Sequence, residues 1–322
     1  MASAEAVAAV IEAGGAHVPG LMERLEARLA EIAASHGDVL AEHAGATIAA
    51  GGKRLRPLLS FLAAGRDSGS GLLRAAVAVE LIHSATLVHD DVLDAAALRR
   101  GRPTVVATAG REMAIATGDL LFSRAFAELA ANGRADELRV LSDASSALAD
   151  GELLQREDAW NLEVSRERYD RRCDLKTARL FQAAAELGGL EGGGPAQALG
   201  AFGRRIGIAF QVLDDVLDVS GPAERTGKHR GTDLLDGTVT LPLILARERD
   251  PELASLDLRA VTTPEQAESV CDAVAATGAL AVAKDEALAI VEAAKAGLPD
   301  GLSDPQRGAL ELVADGVVER YA

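Results

Sequence analysis

The chain has 322 residues, and its 48% hydrophobic side chains are too many for a disordered protein and enough for an ample core. Forty-nine acidic against 33 basic residues give a formal charge of −16, which argues against nucleic acid and anionic membrane as general partners. Aromatic residues are only 3%, which favours helices over sheets, and Cys173 and Cys271 make neither a disulfide framework nor a CxxC motif, as suits a reducing cytosol.

Residues 2–13 and 19–49 are predicted helical, with Pro19 as an opener and Leu21, Leu25, Leu29 and Ile32 at helical spacing. The N-terminal stretch lacks a basic region and carries Glu5 and Glu12, so no signal peptide is expected, and no run of about 18 apolar residues suggests a membrane span. The expected location is the cytoplasm. Residues 51–57 read GGKRLRP, three cations in four positions just before the apolar helix 58–64. Alone, such a stretch is either a solvated basic turn or a phosphate site.

Residues 80–104, ELIHSATLVHDDVLDAAALRRGRPT, begin as an apolar helix into which Asp90, Asp91 and Asp94 are set. At about 100° per residue Asp90 and Asp94 share a face one turn apart, with Asp91 beside them. Such carboxylates repel one another and resist desolvation unless cations join them. Oxygen ligands without neighbouring Cys suit a hard cation, and Mg²⁺ with a phosphate-bearing substrate is the natural assignment. Arg99 and Arg100 follow, where Gly101 and Pro103 break the helix, and are placed to hold phosphate oxygens. A lone DDxxD in an acidic chain is most often surface decoration, but the pentapeptide DDVLD recurs at Asp214, Asp215 and Asp218, again after apolar residues.

No proline interrupts residues 104–194, and long helices are expected over 109–131, 135–160 and 166–187. The first contains Gly118-Asp119, the second the polar run Gly151-Glu152-Leu153-Leu154-Gln155, and the third Lys176-Thr177 amid apolar neighbours. Lys176 either snorkels to solvent or meets a phosphate. Residues 188–195 look like a linker too short to separate domains. A helix over 196–219 carries Phe210, Gln211 and the second aspartate cluster, and the polar loop 221–237 with Lys228, Arg230 and Asp233 is long enough to be functional. Helix restarts at Thr240-Leu241-Pro242, and 252–322 reads as amphipathic helices broken near Pro264, Gly278 and 299–305. About a dozen helices without appreciable sheet, forming a single domain over 1–322, are expected.

Six ordered motifs, GGKRLRP, HDDVLDAAALRRG, GDLL, GELLQ, KTARLF and FQVLDDVLDVSG with GKHRGTDLLDG, resemble those of the trans-polyprenyl diphosphate synthase (polyprenyl synthetase) family, from about Gly51 to Pro242. The resemblance implies an all-α isoprenoid-synthase bundle around a central cavity, usually a homodimer. It implies Mg²⁺, three ions per active site, held by Asp90, Asp91, Asp94, Asp214, Asp215 and Asp218, with Asp90, Asp94, Asp214 and Lys176 central to catalysis. Arg99, Lys176, Thr177, Gln211 and Lys228 match positions around an allylic diphosphate, and Lys53, Arg56, His83 and Arg100 those around isopentenyl diphosphate. The family commonly has a lysine where this chain has Thr238.

The implied reaction is head-to-tail trans condensation of isopentenyl diphosphate onto an allylic diphosphate. A terpene cyclase would need no second diphosphate site, a squalene- or phytoene-type synthase fits the motifs poorly, and a non-catalytic subunit of a heteromeric synthase would be expected to have lost aspartates. Ala85 and Thr86 lie about 6–7.5 Å before Asp90 along the helix. Short-chain members tend to place an aromatic ring there as a floor, so these small side chains point to a long-chain product, with geranylgeranyl diphosphate as the alternative. Ala85 is otherwise simply a packing residue between helices.

Overall fold

The computed structural model describes residues 4–35, 37–49, 52–99, 101–221 and 230–319. Leu21, Leu25, Leu29 and Ile32 do line one buried stripe, on α2 (His17–Ala34), after α1 (Ala4–Ala13). The helix expected over 19–49 is in fact two, because Gly37 takes φ 76°, a left-handed angle that ends a helix, and α3 (Asp38–Ala49) starts afresh. The helix expected over 109–131 is α7 (Arg111–Ala130), set off by Gly110 at φ 85° from the short α6 (Val105–Ala109) before it.

The centre of the molecule is α5 (Ser70–Leu93), covered by α2, α4 (Leu55–Ala64), α7 and α10 (Arg179–Gly192). By length and composition α5 passes as a membrane span, but 67% of its apolar window is buried within the fold. Its lack of a polar stripe is what a helix surrounded by other helices requires. Among the described residues, strand is confined to the hairpin β1 (Leu98–Arg99) and β2 (Arg102–Pro103). The rest is helical, with α8 (Ala135–Asp158), α9 (Arg166–Cys173) and α11 (Ala196–Ser220) completing the site-bearing part. The C-terminal helices Pro264–Ala276, Ala279–Ala296 and Asp304–Glu319 pack against α11, and start and stop at the predicted breaks.

The linker expected over 188–195 is corrected by the structure: α10 continues to Gly192. A Cβ on Gly188 would overlap the Ser60 carbonyl oxygen, and one on Gly192 the Ala64 carbonyl. These glycines let α10 lie backbone against backbone on α4, so they mark a helix contact and no domain boundary. Gly118 instead makes room for a side chain, since a Cβ there would strike the His89 ring. Gly188→Ala is expected to lower stability by about 1–3 kcal/mol, because backbone cannot move aside as a side chain can. Urea unfolding should find a lower midpoint at unchanged slope; an unchanged midpoint would refute the contact.

Candidate active site

The first aspartate cluster closes α5. Asp94 caps the helix, Ala95 turns left-handed at φ 49°, and the Ala96 amide donates back to the Asp91 carbonyl at 3.0 Å. That turn sends the chain into the hairpin, from which Arg99 returns to donate through Nε to Asp91 Oδ1 at 2.7 Å. Asp91 is buried, whereas Asp90 is half-buried and Asp94 lies further out. Asp94 accepts from Arg156 Nη2 at 2.6 Å, and Arg156 Nε donates to Glu152 at 2.7 Å. Glu152 also takes a hydrogen bond from Lys176 Nζ, which reaches Gln155 Oε1 at 3.1 Å. A continuous relay of alternating charge, Asp94–Arg156–Glu152–Lys176, therefore crosses from α5 over α8. Lys176 favours the Asp90 carboxylate more than any other charge does, yet burial prevails and, with Glu152 and Asp94 adding repulsion, pushes Asp90 up to about 6.

Lys176 belongs to a wide π-helical turn, Asp174–Ala178, set between α9 and α10. The helix predicted over 166–187 is thus interrupted where the function-bearing residues stand, a frequent setting for such turns. Asp174 anchors it by accepting from Arg179 Nε at 3.0 Å and from Arg204 Nε. Gly151 of α8 allows the close approach, since a Cβ there would press on the Lys176 backbone. Two consecutive residues of the turn serve two clusters. Lys176 faces the first, while Thr177 Oγ1 donates to Gln211 Oε1 at 2.6 Å, and Gln211 Nε2 donates to Asp215 Oδ1 at 2.8 Å.

The second cluster repeats the division of the first. Asp215 is buried, with Tyr169 OH donating to its other oxygen at 2.7 Å. Burial, reinforced by Asp233 and Asp214, pushes Asp215 up to about 8. Asp214 and Asp218, one turn apart and partly exposed, share the open side of α11, and Asp218 Oδ2 accepts from the Asp233 amide at 3.2 Å. Asp91 and Asp215, grouped with the ligands by sequence, are thus held inward by Arg99 and by Tyr169 with Gln211.

A third group gathers beside these. The Arg56 guanidinium lies 4.4 Å over the Phe181 ring, which tilts against Phe210 at 5.5 Å, so α4, α10 and α11 meet through one stack. Lys53 and His83 are half-buried, His83 on α5. Arg100 and Lys228 lie outside the described residues. Ala85, expected along a product tunnel, has no exposed surface, whereas Thr86 is half-buried and turns its hydroxyl to the His83 carbonyl at 2.8 Å. At Thr238 the backbone is held by the Asp233 carbonyl at 2.7 Å, and the neighbouring Val239 carbonyl accepts from the buried Arg172. Arg156 and Tyr169 were not singled out for chemistry by sequence, because their partners Asp94 and Asp215 are distant in the chain.

The donor set fits a hard divalent cation. It is oxygen throughout, and Asp90 is costly to ionise where it stands until a positive charge is added. Among the described residues no three acid, imidazole or thiol groups converge on one point, so such an ion would draw part of its sphere from phosphate or water.

The sequence profile described as Polyprenyl synthetase matches residues 38–277. The chain belongs to the polyprenyl synthetase family. It is 39% identical over 284 residues to a geranylgeranyl diphosphate synthase of Methanosarcina mazei, covering 84% of this chain and 86% of the relative. It is 43% identical over 202 residues to a heptaprenyl diphosphate synthase component 2 of Geobacillus stearothermophilus, 61% of this chain and 63% of the relative. A crystal structure of a polyprenyl synthase from Caulobacter crescentus, complexed with calcium and isoprenyl diphosphate, superposes with a TM-score of 0.89 at 35% identity, covering 97% of this chain and 98% of that one. As a member of this family the protein is a prenyltransferase with the all-α isoprenoid-synthase fold.

With its pKa raised from 3.8 to about 6, Asp90 makes the fold bind more protons than the unfolded chain between those values, so its contribution to stability falls as pH rises through that window. Asp90→Asn is therefore expected to stabilise the metal-free synthetase at pH 8 by about 1–3 kcal/mol and to leave it unchanged near pH 4. Denaturant unfolding in chelator should find this crossover; equal stability at pH 8 would remove the argument.

Proposed function

We propose that this protein elongates an allylic diphosphate by Mg²⁺-dependent, head-to-tail trans condensation with isopentenyl diphosphate. The observation that carries the reading is the π turn, which sets Lys176 toward the first aspartate cluster and ties Thr177 through Gln211 to the second. Two carboxylate clusters linked in this way suit one diphosphate bound between them. When bound, Mg²⁺ supplies Lewis-acid stabilisation of the charge growing on the leaving diphosphate.

The protein's own groups do the rest. Asp90, Asp94, Asp214 and Asp218 hold the ions, while Arg99 and the Tyr169–Gln211 pair keep Asp91 and Asp215 from swinging out. Lys176, released from Glu152, and Thr177 meet the allylic diphosphate together with Arg99 and Lys228. Lys53, Arg56, His83 and Arg100 hold isopentenyl diphosphate so that its double bond faces the carbon losing diphosphate. The aromatic stack Phe181–Phe210 and the apolar body of α5 exclude water from the allylic cation. The proton lost after bond formation passes to the departed diphosphate. Three ions per site, a homodimer and a cytoplasmic location are part of this reading.

Labelled isopentenyl diphosphate incubated with the purified chain and primers from dimethylallyl to farnesyl diphosphate should be incorporated at millimolar Mg²⁺ and not in chelator. Asp214→Ala should cut turnover by about 10² or more while leaving the circular dichroism spectrum intact. No incorporation with any primer would sink the reading in favour of a partner subunit of a heteromeric synthase.

For product length, the small side chains before Asp90 favour a chain beyond geranylgeranyl, with geranylgeranyl diphosphate, the product in the name of the Methanosarcina relative, as the alternative. Thr86 is the member of the pair with surface to offer, and a ring at the covered Ala85 would instead overpack the core by about 1–3 kcal/mol. Thr86→Phe should shorten the longest product seen by mass spectrometry while condensation continues; an unchanged distribution would place the limit elsewhere.

A further inference from the structure

In the sequence the three cations of GGKRLRP look interchangeable, but the fold sorts them. Lys53 and Arg56 stay half-buried, and Arg56 lies on Phe181, whereas Arg54 turns inward to 7% exposure. It does so from a left-handed backbone conformation, φ 48° and ψ 38°, uncommon for a residue with a Cβ. Its guanidinium donates through Nη1 to Glu80 at 2.7 Å, through Nε and Nη2 to both oxygens of Glu26 at 2.7 and 3.1 Å, and through Nη2 to the Ile48 carbonyl at 2.9 Å. One side chain thereby fastens the turn to α5, α2 and α3. Its carbonyl accepts from the Leu58 amide at 2.9 Å, so the same residue starts α4.

The contact with Glu80 is the informative one. Glu80 is buried in α5, the helix that also carries His83 and the first aspartate cluster, and Arg56 adds to Arg54 in favouring its charged form. The position of the basic turn is therefore set relative to the aspartates, the distance that must be right for two diphosphates to react. These four hydrogen bonds need more donors than the three of a lysine ammonium, and a planar guanidinium supplies them in a fixed fork.

We propose that Arg54 is a positioning residue of the isopentenyl diphosphate half-site, holding Lys53 and Arg56 at a fixed place against α5 through Glu80 and Glu26. This rests on the functional reading above, and the test separates the two. Isopentenyl diphosphate and, with Mg²⁺, geranyl diphosphate are titrated calorimetrically into wild type, Arg54→Met, Arg54→Lys and Glu26→Gln, and KM and kcat are measured for each. In Arg54→Met the Kd and KM for isopentenyl diphosphate should rise about tenfold or more while those for geranyl diphosphate stay within about twofold. Arg54→Lys should fall between. If Arg54→Met does not fold, Glu26→Gln, which removes only the outer, half-exposed carboxylate, should still raise the isopentenyl Kd selectively, by about two- to fivefold. Equal losses for both ligands, or no loss in a folded variant, would reduce Arg54 to a structural ion pair and overturn the proposal. Wild type binding neither ligand would overturn the site reading and this proposal with it.

Discussion

Mutual repulsion among carboxylates is the condition on which this structure turns. Asp90, Asp91, Asp94 and Glu152 crowd one wall of the site, and Asp214, Asp215, Asp218 and Asp233 the other. Like charges in partly desolvated positions would drive α5, α8 and α11 apart unless each were answered. The answers are particular: Arg99 for Asp91, Arg156 for Asp94, Lys176 for Glu152, and neutral donors from Tyr169 and Gln211 for Asp215. Burial, more than repulsion, still pushes Asp90 and Asp215 up, and a divalent cation beside Asp90 would favour its charged form.

Holding these groups so close requires a rigid frame, and the frame is strained at its edges. Three described residues other than glycine have positive φ, namely Arg54, Ala95 and Trp160. Arg54 caps the start of α4 within the basic turn, and Ala95 follows the cap of the first aspartate helix. Trp160 ends the segment after α8, where its amide donates to the Gly237 carbonyl at 2.8 Å beside Thr238. Arg54 is kept in place by Glu26, Glu80 and the Ile48 carbonyl on three other helices, which is how a fold sustains local strain next to a working site. The π turn at 174–178 belongs to the same pattern, a departure from regular helix fixed by Asp174 and its two arginines.

The close-packed glycines explain how long helices can bring short polar groups to one site. Gly151 brings α8 against the Lys176 backbone, so that Glu152 and Gln155 reach the same ammonium group. Gly188 and Gly192 bring α10 against α4, which sets Phe181 beneath Arg56. An alanine at any of these places would push a helix outward and move a charged group with it.

The sequence by itself determined the all-helical class, the family and the segments that carry chemistry. DDVLD, GGKRLRP and KTARLF are contiguous strings, and a helix of fixed period converts their spacing into a shared face without any help from the rest of the chain. It did not distinguish residues of one type within a string. Asp90 and Asp91, Asp214 and Asp215, or Lys53, Arg54 and Arg56 read alike, as did the glycines of 188–194, which looked like a linker and proved to be a helix contact. Which of them stays partly exposed and which is buried was decided only by tertiary structure. The partners that decide it (Tyr169 for Asp215, Arg156 for Asp94, Glu26 and Glu80 for Arg54) lie between 26 and 62 residues away in the chain, where periodicity carries no information and burial and charge pairing act through space.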